Sequence, residues 1–354
     1  MILKKLNFSF YKKIKKLVYK NGFDIPSYEY WIKLWKKNKN RNVGDGIIIK
    51  NKLVGYHSYF EKKLIFKNKI YKILVSSNWN VDKKYRKFSI FLINNYFKSK
   101  NRILITTTSN FNVSKIWKSF GAEEVNNDGS KSIYFKILSI AGFINIFLIK
   151  QKNLFFNFIK PILIILLYFY LKFKINKKHN SYLNYASCSF IDKDIEKFNK
   201  KYEKNNHFPM EKRSNYEIRN YINVIKHNKE IFILKIYKQK KLIGYIILAK
   251  EKFKEIKVYR MYLAEIRINK NYLNYIDDVF EFISEFSKKK NCVLIEFRNL
   301  NKKILNKINK NHYFLRKIKH NPYLVKFTLS ENINLRKYIK KDWETSFLDG
   351  DCLL

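Results

Sequence analysis

The chain has 354 residues, 46% hydrophobic and 17% aromatic, enough for two packed domains and too apolar for a disordered tail. Nine glycines and four prolines exclude collagen-like and linker-rich classes. Three scattered cysteines (Cys188, Cys292, Cys352) exclude a disulfide framework or a CxxC metal pair, which suits a reducing, cytoplasmic compartment. The net charge of +46 divides as +27 over residues 1–175 and +19 over 176–354, so it marks no single nucleic-acid-binding domain and specific nucleic-acid binding is not expected.

Residues 1–20 alternate lysine with apolar side chains. Phe10, Ile14, Leu17 and Val18 recur at helical spacing, which predicts an amphipathic helix without the apolar centre of a signal peptide. A second helix is predicted over 27–37, rich in aromatics (Tyr28, Tyr30, Trp31, Trp35). The period then becomes that of strands, over 46–50, 53–60, 64–66 and 70–81, with turns at Asn51-Lys52 and Asn68-Lys69. A basic loop (82–87), a helix (89–98), a strand (103–108), a helix (112–120) stopped by Gly121 and a strand (132–138) complete an α+β domain over 1–138 with a mostly antiparallel sheet.

Residues 139–180 form an apolar helical connector. Its densest part, 161–171, has about half of the roughly 20 residues a span needs, and Lys160 adjoins it. A helix buried between domains or lying in a membrane interface is therefore expected over 154–171, with a true transmembrane helix as the alternative. The flanking Lys172, Lys174, Lys177 and Lys178 suit peripheral contact with an anionic membrane. The second domain, 181–354, is predicted to hold helices at 191–204 and 216–225 and a hairpin of 230–237 with 241–250 about Gln239-Lys240. A strand (258–268), helix (272–288), strand (292–297), helix (302–310) and two short strands (313–317, 323–329) follow. The order repeats that of the first domain, with little residue identity. In the tail, Asp349 and Asp351 flank Gly350, which reads as a solvated acidic turn or as a site for an amino group or a metal.

One segment, 77–92, carries a chemistry. A strand ends at Asn80-Val81, a turn presents Lys84, Arg86 and Lys87, and a helix begins after Phe88 at Ser89. Backbone N–H groups and positive charge at a helix N-terminus suit a pyrophosphate. Downstream stand Asn112, Ser114, Trp117 and Gly121.

Through these residues the chain resembles the GNAT superfamily of acyl-CoA N-acyltransferases, over most of 1–138 and more loosely over 182–330. The resemblance implies two GNAT-like domains, each a mostly antiparallel mixed sheet flanked by helices. It implies acetyl-CoA or another acyl-CoA as co-substrate, without a metal. Asn80 and Val81 would meet the pantetheine arm and offer the oxyanion a backbone N–H. Lys84, Arg86, Lys87, Phe88 and Ser89 would hold the pyrophosphate, and Asn112 and Ser114 would line the thiol end. Ser89 and Phe91 replace the family's loop glycines. Trp117 replaces the tyrosine that protonates the departing thiolate, a task closed to an indole. The second domain lacks the arginine loop and is expected to be a CoA-free half completing the acceptor cleft.

For the base, His57 on the hairpin strand has a suitable ordinary pKa, with Glu61 or a water chain as alternatives. His179, His207, His227, His312 and His320 show no metal-ligand spacing. The expected activity is transfer of an acyl group other than aminoacyl to an amine, which the resemblance places on an amino sugar of a surface-polysaccharide precursor. Two alternatives stand beside it. One is an aminoacyl-tRNA-dependent transferase of the peptidoglycan type, and the other a non-enzymatic basic protein binding membrane or nucleic acid.

Overall fold

Lys50 and Asn51 adopt φ of 47° and 61°, and Lys67 and Asn68 adopt 46° and 63°. Such left-handed pairs match the twist of an antiparallel hairpin, and asparagine tolerates them better than most residues. Both turns lie one residue earlier than the sequence suggests. The computed structural model describes the chain except residues 26, 36–41, 108–109, 126–131, 152–154, 175–181, 206–208, 227–228, 254–257, 299, 301, 309, 318–322, 329–332 and 344–354. The acidic tail around Gly350 lies outside the described residues.

In chain order the elements begin with β1 (Ile2–Leu6), α1 (Tyr11–Lys20), α2 (Tyr28–Trp35), β2 (Gly44–Ile49), β3 (Lys52–Phe66) and β4 (Lys69–Val81). A 3-10 turn (Lys83–Phe88), α3 (Ser89–Phe97), β5 (Ile103–Thr106), α4 (Phe111–Ser119), β6 (Glu123–Glu124) and β7 (Ser132–Ile137) follow. Then come α5 (Ile140–Gln151), α6 (Phe155–Lys174), β8 (Leu183–Cys188), α7 (Lys193–Asn205), β9 (Met210–Glu211), α8 (Asn215–Ile225), β10 (Glu230–Lys238), β11 (Lys241–Lys252) and β12 (Tyr259–Ile268). After a 3-10 turn (Lys270–Tyr275), the chain closes with α9 (Ile276–Lys289), β13 (Cys292–Phe297), α10 (Lys302–Leu305), β14 (Phe314–Lys317), β15 (Leu324–Phe327) and α11 (Ile333–Asp342).

These elements pack as two units. The first comprises Met1–Asn127, Asn199–His227 and Lys319–Leu354, and the second comprises Asp128–Phe198 and Asn228–Ile318. The first sheet runs β1-β2-β3-β4-β5-β15-β6, with β9 added on β3, and the second runs β8-β10-β11-β12-β13-β7-β14. In each, one internal pair is parallel, β4 with β5 and β12 with β13, and every other pair is antiparallel. The α+β, mixed-sheet expectation holds in both.

The first sheet buries both faces by strict alternation. Ile103, Ile105 and Val325 face the core shared with Ile14, Leu17 and Val18 of α1 and Trp31 and Trp35 of α2. Leu104 and Leu324 face the opposite core with Ile93, Tyr96 and Phe97 of α3 and Trp117 of α4. Gly44, at φ 139°, must be glycine: a Cβ there would lie 2.1 Å from the His57 carbonyl oxygen.

Three differences from the sequence reading have physical causes. The start of the predicted first helix is an edge strand, β1, exposed at four of its five positions, and its counterpart β8 falls ahead of the first predicted helix of the second domain, where no element is expected. Edge strands with one face in water carry lysines that blur any period. Ser132–Ile137, expected as the last strand of the first domain, pairs with β13 and β14 of the second sheet. Leu324–Phe327, expected in the second domain, pairs with β5 and β6 of the first. The halves therefore exchange one strand each. Residues 199–227 also belong to the first unit, so the chain does not divide at the connector.

Candidate functional site

The chemistry-bearing region of the first unit follows from how β4 ends. Its parallel pairing with β5 covers only Ile73–Ser76 against Ile103–Thr106. On its other side the register with β3 slips between His57 and Tyr59, so that Ser77 and Asn78 bulge opposite Ser58. Ser58 Oγ donates to the Asn78 carbonyl at 3.4 Å. Beyond the bulge, Trp79, Asn80 and Val81 keep β3 and have left β5. The two parallel strands thus splay, leaving a wedge whose β4 edge lacks a strand partner among the described residues.

Buried polar side chains gather there: His57, Ser58, Ser76, Asn80, Thr106, Thr107 and Ser114. Among the described residues, three buried polar atoms in this region have no hydrogen-bond partner, namely His57 Nδ1, Trp79 Nε1 and Thr107 Oγ1. Leaving such groups unmade costs free energy unless water or a ligand meets them.

Past Val81, Asp82 caps the 3-10 turn, accepting from the Lys84 N–H at 3.2 Å and pairing with Lys20 at 2.5 Å. The Lys20 hydrogen bond helps hold its carboxyl below the usual range. Lys83, Lys84, Arg86 and Lys87 are exposed, and the next helix, α3, starts behind Phe88, which gives it no side-chain cap. The Ser89 N–H already donates to the Arg86 carbonyl, so it is the four cations of the turn that favour an anion here, by charge. Asn21, just after α1, reaches the same strand end, its Nδ2 lying 3.5 Å from Asn80 Oδ1 and 3.4 Å from the Val81 carbonyl.

The other expected site residues are placed unequally. Asn112 is exposed on the first turn of α4. The cap is Asn110, whose Oδ1 accepts from the Val113 N–H at 3.0 Å and whose carbonyl accepts from Ser114 Oγ at 2.9 Å. The sequence pattern starts this helix at 112, two residues past its true cap, so Asn110 does not stand out there; an asparagine just ahead of the helix is the signal. Trp117 is a core side chain, 1% exposed and packed against Tyr96 and Phe97 at 5.5 and 4.9 Å between ring centres. Glu61 pairs with Arg102 at 2.7 Å and lies in register with Leu74, short of where β4 and β5 part.

His57 has no exposed surface. Its Nε2 lies 2.8 Å from Ser76 Oγ, and Tyr59, Trp79 and Tyr96 surround the ring. Burial, with the Lys5 charge nearby, lowers its pKa to about 3 and holds it neutral. An acceptor ammonium would have to enter the core to reach it. Beside it, and unseen in the sequence, the buried carboxylate of Asp45 has polar partners. Asp45 Oδ1 is 2.7 Å from Lys5 Nζ, Asn95 Nδ2 donates to Asp45 Oδ2 at 2.9 Å, and Lys5 also donates to Tyr59.

The second unit repeats the frame without the charge. β12 pairs with β13 only up to Leu263, and its register with β11 slips past Ala264. Asn269 then caps a 3-10 turn, accepting from the Asn271 N–H at 3.1 Å, as Asp82 does. Lys52-Leu-Val-Gly-Tyr56 and Lys241-Leu-Ile-Gly-Tyr245 occupy matching hairpin positions, with Gly55 opposite Val81 and Gly244 opposite Ile268. Leu273 stands where the first turn has Arg86, and Lys270 is the single cation of that turn. Among the described residues, no cluster of three His, Cys, Asp or Glu side chains is placed to hold a metal ion.

No protein-family model matches the chain, and no curated protein matches it by sequence. Solved structures do match. A GCN5-related N-acetyltransferase from Anabaena variabilis is 10% identical with a TM-score of 0.61, over 93% of this chain and 73% of that one. A conserved protein of unknown function from Enterococcus faecalis is 14% identical with a TM-score of 0.61, over 92% and 72%. An N-myristoyltransferase from Saccharomyces cerevisiae, solved with bound myristoyl-CoA, is 9% identical with a TM-score of 0.52, over 92% and 77%. The chain has the fold of the GNAT superfamily of N-acyltransferases. It carries that fold as two similar sheets, of which the first alone has the cationic turn.

Proposed function

We propose that the protein is an N-acyltransferase that takes an acyl group from acyl-CoA in its first unit. The observation that carries this reading is the cationic turn Lys83–Phe88, leading into α3 at the end of a splayed strand. The pyrophosphate of CoA would lie against Lys84, Arg86, Lys87, Phe88 and Ser89. The thioester would reach into the wedge beside Asn80, Val81, Asn110 and Ser114. A neutral amine attacks the thioester carbonyl, the backbone N–H groups at the β4 edge stabilise the oxyanion, and the C–S bond breaks as the C–N bond forms. The amine's proton leaves to water, and the thiolate takes its proton from water, because Trp117 has no acid to give. The acceptor is an amine-bearing small molecule, and an amino sugar of a surface-polysaccharide precursor fits the sequence resemblance.

Calorimetric titration with acetyl-CoA tests the donor. Binding is expected, and Arg86→Ala should weaken it about ten- to a hundredfold, the scale of one charge-assisted phosphate contact. No binding, or equal binding by the variant, overturns the reading. Salt-steep RNA binding in its place would favour an aminoacyl-tRNA donor. A free-thiol assay across nucleotide-linked amino sugars then identifies the acceptor.

A further inference from the structure

From Pro161 to Tyr170 helix α6 is apolar on every side, and none of its described side chains is buried. From Lys160 to Tyr170 every residue is partly or largely exposed. Ile162, Ile165, Leu166, Tyr168, Phe169 and Tyr170 are each 52–61% exposed. The helix packs on α5, and the Tyr170 ring lies 5.8 Å from that of Phe314 on β14. α5 is itself tied down, with Ile146 packed against Val293 and Leu294, and Gly142 so close to Val293 that a Cβ would lie 2.3 Å from it. The second unit thus holds α6 out on an anchored support.

We infer that α6 is an interfacial membrane anchor that lies in an anionic leaflet. A helix that docks in a protein groove has one apolar stripe and a polar back, whereas 161–171 has no polar side beyond its tyrosine hydroxyls. Lipid surrounds what it holds and accepts apolar side chains on several faces. The charge fits too: Lys150, Lys152 and Lys160 precede the apolar run, and Lys172, Lys174, Lys177 and Lys178 follow it, in a chain of net charge +46. Tyr168, Phe169 and Tyr170 stand next to the following lysines, as aromatics do at headgroup level. The helix lies on the membrane and does not cross it. Its eleven apolar residues rise about 16 Å against roughly 30 Å of hydrocarbon, and no helix among the described residues is long and apolar enough to cross.

The test is flotation of the full chain with phosphatidylcholine vesicles, with and without about one-quarter phosphatidylglycerol. The wild type should float with the anionic vesicles, and more weakly at about 1 M salt, where screening shortens to roughly 3 Å. Ile165→Ser/Leu166→Ser should bind about a hundredfold more weakly, since two apolar side chains no longer leave water. Its thermal midpoint should stay unchanged, because both side chains are already exposed. Arg86→Ala should float like the wild type, which separates this inference from the acyl-CoA reading. Failure to float, or equal flotation of the double variant, overturns the inference. So does a wild-type dimer that ignores vesicles and that the double variant dissolves, since the face then belongs to a second copy.

Discussion

At the scale of single residues, burial decides roles that residue type alone leaves open. His57 has a suitable pKa in isolation, yet enclosed among Tyr59, Trp79 and Tyr96 its protonated form is strongly disfavoured. An unfolded histidine takes up a proton near pH 6.5, whereas this one waits until about 3. Between those values the unfolded chain binds a proton that the folded chain does not, so stability falls as the pH falls. The limit is about 1.4 kcal/mol per pH unit, and above pH 6.5 the contribution is full and constant. Urea midpoints at pH 7 and 5 should therefore drop less for His57→Gln than for the wild type; equal drops would contradict a buried neutral imidazole. The strand position of His57 was legible from the hairpin pattern. Its enclosure was not, because it depends on Tyr96 from α3 and Trp79 across the hairpin, far apart in sequence.

At the scale of elements, local pattern located most helices and central strands but not where they pack. The helices at 191–204 and 216–225 are legible from their amphipathic spacing. The segment joining them to the first unit is not. It rests on a two-residue strand, Met210–Glu211, paired with Leu64 and Ile65, on α8 packed against α2, and on the ion pair of Lys62 with Glu211. Lys62 Nζ lies 2.9 Å from Glu211 Oε1, the two side chains are 8% and 6% exposed, and the Lys62 ammonium is 4.7 Å from the Tyr221 ring centre. Neither a two-residue strand nor a pair separated by so much chain leaves a period. A buried ion pair is fragile when halved: Glu211→Gln should cost about 3–5 kcal/mol in urea unfolding, while Lys62→Met with Glu211→Leu should cost far less. If the double change costs as much as the single one, the charge pairing is not the reason.

At the scale of the whole molecule, the duplicated order was legible and the exchanged strands were not. The sequence shows two runs of elements in the same order, and both sheets carry them in the same spatial order. Chain order assigns β7 to the first run and β15 to the second, yet each completes the other's sheet. A fragment of residues 1–138 therefore lacks the strand between β5 and β6, together with 199–227. It should show no cooperative thermal transition, whereas the full chain should. A sharp transition of the fragment would mean that the first sheet closes without β15.

The exchange also sets a timetable for synthesis. β5 and its future partner β15 leave the ribosome roughly 220 residues apart, or roughly 10 to 45 seconds at ordinary elongation rates. Throughout that interval β5 is an unprotected sheet edge made of Ile103-Leu-Ile-Thr106, an apolar strand able to pair with any neighbour that offers one. Nascent chains of this protein should thus depend on chaperones during translation and aggregate when crowded on polysomes, whatever the stability of the finished molecule.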